Sequence, residues 1–436
     1  MPNIKFPYGK DMIEYYIPDD RFKGELVSRL HKYKPEFSQE ELVRNALENP
    51  IDSLRLKELA KNKKNIVIIA SDHTRPVPSK IIMPCILSEI REGNPNADIT
   101  ILIATGCHRG TMQEELEEKF GFEIYKNEKI IIHDCDNSDM VVLGKMPSGG
   151  EITVNKIAAE SDLLISEGFI EPHFFAGFSG GRKSVMPGIA SRKTVMYNHN
   201  AEFIDNKNAR AGIILNNPVH EDMIYAAKAI KLAFICNVVL NSDKEIIYAV
   251  AGDCDSAHKK GCDFLSSKCK VNKLNIPADI VITTNGGYPL DQNIYQAVKG
   301  MTTAESAVKK DGVIIMLAQS KDGHGGESFY KTFAEEKDLD IILAKFLSTP
   351  KNQTLADQWQ SQIFARVLKH ARVIYVSDAP DNIVSELGMI PAGSIGEAVK
   401  KAEELLCDAG ASIAVIPDGV GVIVQGYGVS LFEQTR

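Results

Sequence analysis

No stretch of the 436-residue chain approaches the roughly 20 consecutive apolar residues that a bilayer-spanning helix needs. A membrane span is therefore not expected. The opening residues, MPNIKFPYGKDMIEYY, lack an apolar run and a basic start, so no secretory signal is expected. Cysteine is present but unorganised. The eight residues form no C-x-x-C pair, which leaves no zinc knuckle and argues against a disulfide framework. They read as small buried hydrophobes in a reduced, cytoplasmic setting. Basic charge is in deficit: the formal net charge is −8, no long basic stripe occurs, and nucleic acid is not an expected partner. The chain has no H-E-x-x-H and no tight carboxylate cluster, so a conventional protein-only zinc or iron site is not expected.

What is present is a recurrent short apolar run that ends abruptly in polar or glycine-rich residues. NIVIIA runs into SDHTRPV, DITILIA into TGCHRG, and DLLISEGFI into EPHFFAGFSGGRKS. Later come DIVITT before NGGYPLDQ, GVIIMLA before QSKDGHGG, RVIYVS before DAPD, and SIAVI before PDGVG. Such runs read as buried parallel strands. Helical patterns such as SKIIMPCILSEIREG and TLADQWQSQIFARVLKHA lie between them. The alternation predicts an α/β protein of two domains with doubly wound, mostly parallel sheets. The polar CKVNKLNIPAD segment is the expected break. It gives an N-terminal ligand-binding domain over 1–270 and a C-terminal α/β domain over 275–436. The last 20–30 residues are open to packing back on the first domain.

Open α/β sheets bind ligands beyond the carboxyl ends of their strands, so the strand-end loops carry the functional reading. The first holds Ser71, Asp72, His73, Thr74 and Arg75. Arg75 suits a carboxylate or phosphate; a solvated turn ended by Pro76 is the equal alternative. The second holds His108 and Arg109, and histidine trades protons near neutral pH. The third holds His173, a run of glycines, then Arg182, Lys183 and Ser184. It nearly matches the phosphate loop G-x-x-x-x-G-K-[ST], but Arg182 stands where a glycine must wrap the phosphate, which weakens an ATPase reading. Lys183 is a candidate covalent anchor. His199 follows 26 residues after His173 and is a candidate metal ligand, though one histidine makes no metal site.

In the second half, Gln296 and Lys299 are three apart and share a helix face. Gly300 reads as the stop of that helix, with Thr302 and Glu305 a capping box for the next. Trp359, the one tryptophan, lies in a helical pattern and reads from spacing as a packing residue. His324 is a loop histidine. His31, His133, His220, His258 and His370 belong to no constellation and read as structural or exposed.

Taken together, SDHTRP, TGCHRG, EPHFFAGFSGGRKSVMPG, NHN and NGGYPLDQNIYQAVKG resemble, in content and order, the nickel-dependent lactate racemase family. The resemblance implies an isomerase that interconverts L- and D-lactate by reversible hydride transfer through pyruvate, in an interdomain active-site cleft. It implies a nickel pyridinium-3,5-bisthiocarboxylate mononucleotide, a pincer cofactor tethered at Lys183, with His199 completing the Ni2+ coordination. It further implies His108 and His173 as alternating acid and base. Ser71, Asp72, His73, Thr74, Arg75 and Trp359 would face the cofactor, and Arg75, Tyr295, Gln296 and Lys299 the substrate. Cofactor-biosynthesis proteins would be partners. The same cofactor acting on another 2-hydroxy acid, a non-catalytic nickel or nucleotide carrier, and a phosphate-loop enzyme are the competing readings.

Overall fold

The structure is a computed structural model and describes residues 1–271 and 277–424. The chain is an α/β protein with two six-stranded, parallel-rich sheets. It divides into two compact units, one formed by residues 30–267 with 351–353, the other by 1–29, 268–350 and 354–436.

In the first unit the sheet order is Ile246–Gly252, Leu232–Leu240, Leu163–Phe169, Asn65–Ser71, Asp98–Ala104, Lys129–Ile132. All neighbours are parallel except Ile246–Gly252, which runs antiparallel at the edge. Every residue of Leu163–Phe169 is buried, as are residues 66–70 of the adjacent strand. A strand covered on both faces must be apolar on both, which is why these segments read as unbroken runs. Ile66, Ile68 and Ala70 face Ile82, Ile86 and Ile90 of the Ser79–Gly93 helix, with Val43 and Leu47 from Gln39–Glu48 behind them. That second helix starts on a capping box in which the Ser38 and Glu41 side chains each bond the other's backbone.

The chain enters this sheet at Asn65–Ser71, moves outward through Asp98–Ala104 to Lys129–Ile132, then returns to the other side at Leu163–Phe169. The strand order therefore reverses between Asn65–Ser71 and Leu163–Phe169. The crevice beyond such a reversal is where open α/β sheets bind ligands. The loops starting at Asp72 and Ile170 meet there.

The second unit has the order Ile390–Ala392, Arg372–Val376, Val308–Leu317, Ala278–Thr284, Ile413–Ile416, Phe22–Glu25, every pair parallel. Its reversal lies between Ala278–Thr284 and Ile413–Ile416. Residues 1–29 were expected in the first domain and belong here instead. Phe22, Gly24 and Glu25 pair with Ile413, Ala414 and Val415, and Ile4, Phe6 and Ile17 lie in this unit's core with Ile280, Ile282 and Val415. Local periodicity carries no trace of a pairing between opposite ends of a chain. The final segment up to residue 424 stays with the second unit; residues 425–436 lie outside the described residues. No described helix is long and apolar enough to cross a membrane.

Candidate active site

Asp72 is the first residue past the Asn65–Ser71 strand and is buried. Its Oδ2 lies 2.7 Å from His108 Nδ1. Its Oδ1 accepts from the Thr74 hydroxyl at 2.7 Å and from the Thr74 N–H at 3.2 Å. Burial works against this carboxylate, but hydrogen bonds from His108 and Thr74, with the nearby charges of His108 and Arg75, outweigh it and hold its pKa below the ordinary value. An ionised Asp72 fixes the His108 proton on Nδ1 and leaves Nε2 as the nitrogen that can accept one; this tautomer is assigned from the partner. The His108 side chain is 45% exposed, so that nitrogen is reachable.

His73 turns the other way, with Nδ1 3.1 Å from the Thr111 hydroxyl. Arg109 is committed to Glu115 through two contacts, one of 2.8 Å, and holds that carboxyl down to about 2. Arg75 is exposed. Ser71 Oγ is buried without a partner.

The third loop begins as a small hairpin, with His173 opposite Gly177. The Ala176 N–H donates to His173 Nδ1 at 3.2 Å, which puts the ring proton on Nε2. In their neutral forms His108 thus presents Nε2 as a hydrogen-bond acceptor and His173 presents Nε2–H as a hydrogen-bond donor. The Phe175 ring stands edge-on to His173 at 4.6 Å and to His199 at 5.1 Å between centroids. Asn217, which the sequence gave no reason to single out, fixes Phe175 by donating to its carbonyl at 2.9 Å while capping the Pro218–Ala229 helix.

Lys183 lies in the 3-10 turn Gly181–Ser184. His199 caps the C-terminus of Arg192–Asn198 and is buried. Burial, then the charge of Lys183, lower its pKa to about 3, so the imidazole is neutral. Arg182 is fully buried and spans the loop from inside, donating to the carbonyls of Ala176 at 2.7 Å and Gly180 at 3.1 Å. His258 lies 3.0 Å from it, so this histidine, read as structural, is the inner support of the loop. Gly181 has φ +55, and a Cβ there would lie 2.7 Å from the His258 ring; only glycine fits. No helix of phosphate-loop type begins at Lys183: the turn Gly181–Ser184 ends there, and the next helix is Arg192–Asn198. The Gly106 N–H donates to the Gly188 carbonyl at 2.9 Å, tying the His108 loop to this one.

In the second unit, Gln296 and Lys299 share the Ile294–Glu305 helix, which is capped by Asn293 accepting from the Gln296 N–H at 2.9 Å. Gln296 Oε1 is buried without a partner. The Tyr295 hydroxyl donates to Asp357 at 2.7 Å; burial first, then that carboxylate, raise its pKa. Two readings need correction. Gly300 does not stop the helix, which continues to Glu305; its N–H donates to Asn285 Oδ1 at 2.8 Å, and a Cβ would sit 2.6 Å from that oxygen. Thr302 and Glu305 cap nothing: the Thr302 hydroxyl bonds the Lys299 carbonyl at 2.7 Å, and Glu305 pairs with Arg366 at 2.7 Å. Trp359 is half-buried in the first turn of Gln358–His370. His324 accepts from the Gly326 N–H and stacks on Tyr330.

Residues 8–212 match the family model for the lactate racemase N-terminal domain, and residues 273–424 match the model for the C-terminal domain. The chain belongs to the lactate racemase family. It is 54% identical over 427 residues to the lactate racemase of Thermoanaerobacterium thermosaccharolyticum and 53% identical to that of Lactiplantibacillus plantarum, covering 98% of this chain and 100% of each relative. The solved lactate racemase apoprotein from T. thermosaccharolyticum superposes with a TM-score of 0.94 at 53% identity, covering 97% of this chain and 100% of that one. A Thermotoga maritima protein at 20% identity, with a TM-score of 0.62 over 90% of this chain and 100% of its own, shares the fold.

A lysine-tethered nickel nucleotide asks for an amine, a neutral imidazole beside it and polar groups without protein partners. Lys183 lies close enough to His199 to perturb it, His199 is held neutral, and Ser71 Oγ is buried and unmatched. These lactate racemase family residues fit the group. Among the described residues, Asp134, Cys135 and Asp136 could also converge on a cation, but Arg192 grips both oxygens of Asp136 and turn N–H groups take Asp134.

Proposed function

We propose that this chain is a lactate racemase, an isomerase that interconverts L- and D-lactate through pyruvate with hydride as the transferred species. The observation that supports the reading best is the His108 imidazole held by Asp72 with its side chain accessible, and a second imidazole, His173, in another strand-end loop of the same sheet. A racemase acts on mirror-image substrates and needs a base on one side and an acid on the other. His108, oriented by Asp72, takes the hydroxyl proton of one enantiomer at Nε2, and His173, in its imidazolium form, returns a proton to the ketone oxygen as hydride adds to the opposite face of the carbon. Each then serves the reverse direction in the opposite state.

The Cα–H of lactate is a poor acid because the adjacent carboxylate already bears the charge that deprotonation would increase. Departure as hydride, with the hydroxyl proton taken by the base, leaves pyruvate, whose new ketone group is uncharged. A nickel pincer nucleotide, tethered at Lys183 with His199 on the metal, supplies the hydride acceptor when bound. Ser71, Asp72, His73, Thr74, Arg75 and Trp359 are assigned to its surroundings. Arg75 and Lys299 are assigned to the substrate carboxylate, with Gln296 and Tyr295 supporting. Cofactor-building proteins are the implied partners, and the cytoplasm, where they and eight thiols belong, is the implied location.

The test uses holoenzyme made with those partner proteins. Lys183→Ala is expected to lose the cofactor mass and the nickel. His108→Ala and His173→Ala are expected to keep both while turnover falls by about 10²–10⁴-fold. Lactate deuterated at C2 should react more slowly and keep its label. Full activity in either histidine variant, or washout of the label, sinks the reading. Nickel retained with no racemisation of any hydroxy acid would favour a carrier.

A further inference from the structure

A second reactive side chain sits beside His108. Cys107 follows the Asp98–Ala104 strand, and Cys135 follows Lys129–Ile132. These strands are parallel neighbours with Ile103 opposite Ile132. Their ends are laced together: the His133 N–H donates to the Ile103 carbonyl at 3.0 Å, and the Thr105 hydroxyl donates to the His133 carbonyl at 2.5 Å. The loops therefore leave the sheet side by side, and the Cys107 and Cys135 side chains come within hydrogen-bonding reach. Both are thiols. The Arg192 guanidinium, held by Asp136 at 2.7 Å, lies close enough to act on both sulfurs. Cys107 is partly exposed and Cys135 buried, and burial first, Cys107 second, push the Cys135 thiol up to about 12.

We propose that Cys107 and Cys135 are a reversible thiol-modification site, joined as a disulfide by a small-molecule disulfide, and that the bond takes His108 out of position. The more exposed Cys107 loses its proton to solvent and attacks one sulfur of R–S–S–R. That bond breaks, and R–S⁻ leaves and is protonated. Cys135 then gives up its proton and attacks the Cys107 sulfur of the mixed disulfide, releasing the second R–S⁻. Two protein thiols are oxidised, and one external disulfide is reduced to two thiols. Arg192 stabilises the thiolates as they form. A disulfide holds its sulfurs about 2.05 Å apart with a fixed dihedral, closer than a thiol hydrogen bond allows. The next residue is His108, whose Nδ1 lies 2.7 Å from Asp72. A displacement of about 1 Å at a reacting group costs about 100-fold in rate. The effect on turnover rests on the role given to His108 above; the bond itself does not.

The experiment exposes holoenzyme to oxidised glutathione, alkylates the remaining thiols, and maps unreduced peptides by mass while racemisation is followed. The expected result is a cross-linked Cys107–Cys135 peptide, a fall in turnover of about 100-fold, and recovery with dithiothreitol. Cys135→Ser, checked for folding by its thermal midpoint and repeated as Cys135→Ala, should match the untreated parent in activity and stop at a glutathione adduct on Cys107. Alkylation of both thiols after exposure overturns the site. A bond formed with turnover intact overturns the link to His108. Untreated holoenzyme that fails to racemise lactate counts against the proposed function instead, while the mass readout still decides the bond.

Discussion

At the scale of single residues, the buried ionisable groups behind the glycine loop set a cost that varies with pH. Burial first, then the neighbouring Arg182, drop the His220 pKa from the ordinary 6.5 to about 3. In the unfolded chain the same ring takes a proton near pH 6.5. Between those values the unfolded state binds more protons, so stability is full above about pH 6.5 and is lost as the pH falls towards 3. His220→Gln removes this titration. Its urea midpoint should fall less steeply than the parent's between about pH 7 and pH 5, and parallel slopes would show that His220 is charged in the fold. Sequence could not reveal this ring or His258, because each gains its meaning from a guanidinium distant in the chain. By contrast the placement of Asp72, His108, His173 and Lys183 in strand-end loops was legible, because each follows an apolar run that ends abruptly in polar residues.

At the scale of elements, the buried strands were the most readable parts. NIVIIA and DLLISEGFI carry no alternation, and both prove covered on two faces. Helix ends were less readable. Gly300 looked like a terminator because glycine is a poor helix former. Its use is different: it lets the Ile294–Glu305 helix approach Thr284 and Asn285, where a Cβ would lie 2.6–2.8 Å from their oxygens. Gly300→Ala therefore forces the helix outward rather than improving it. A loss of about 1–3 kcal/mol is expected, read as a lower urea midpoint. A variant as stable as the parent would mean the helix has room to shift.

At the scale of the whole molecule, periodicity predicted the α/β class and the change of strand series near residue 270, but not the membership of the first 29 residues. Ile4, Phe6 and Ile17 are apolar at positions that would suit any core; which core they fill depends on a pairing that no local pattern encodes. Removing residues 1–25 should strip the Ile413–Ile416 strand of one of its two partners and open that unit's core. Amide exchange should accelerate in Ala278–Thr284 and Ile413–Ile416, while Asn65–Ser71 keeps its protection. Uniform acceleration in both sheets would show that the loss is not confined to one unit.

That pairing also sets an order of events during synthesis. About 390 residues separate Phe22–Glu25 from its neighbour Ile413–Ile416, and a ribosome adding roughly 5–20 residues per second needs about 20–80 s to make them. Through that interval Phe22–Glu25 has no strand to pair with, and the second sheet cannot close until Ile413–Ile416 emerges. An unpaired strand at the first-made end is a template for pairing with other chains, and a holding chaperone would act there.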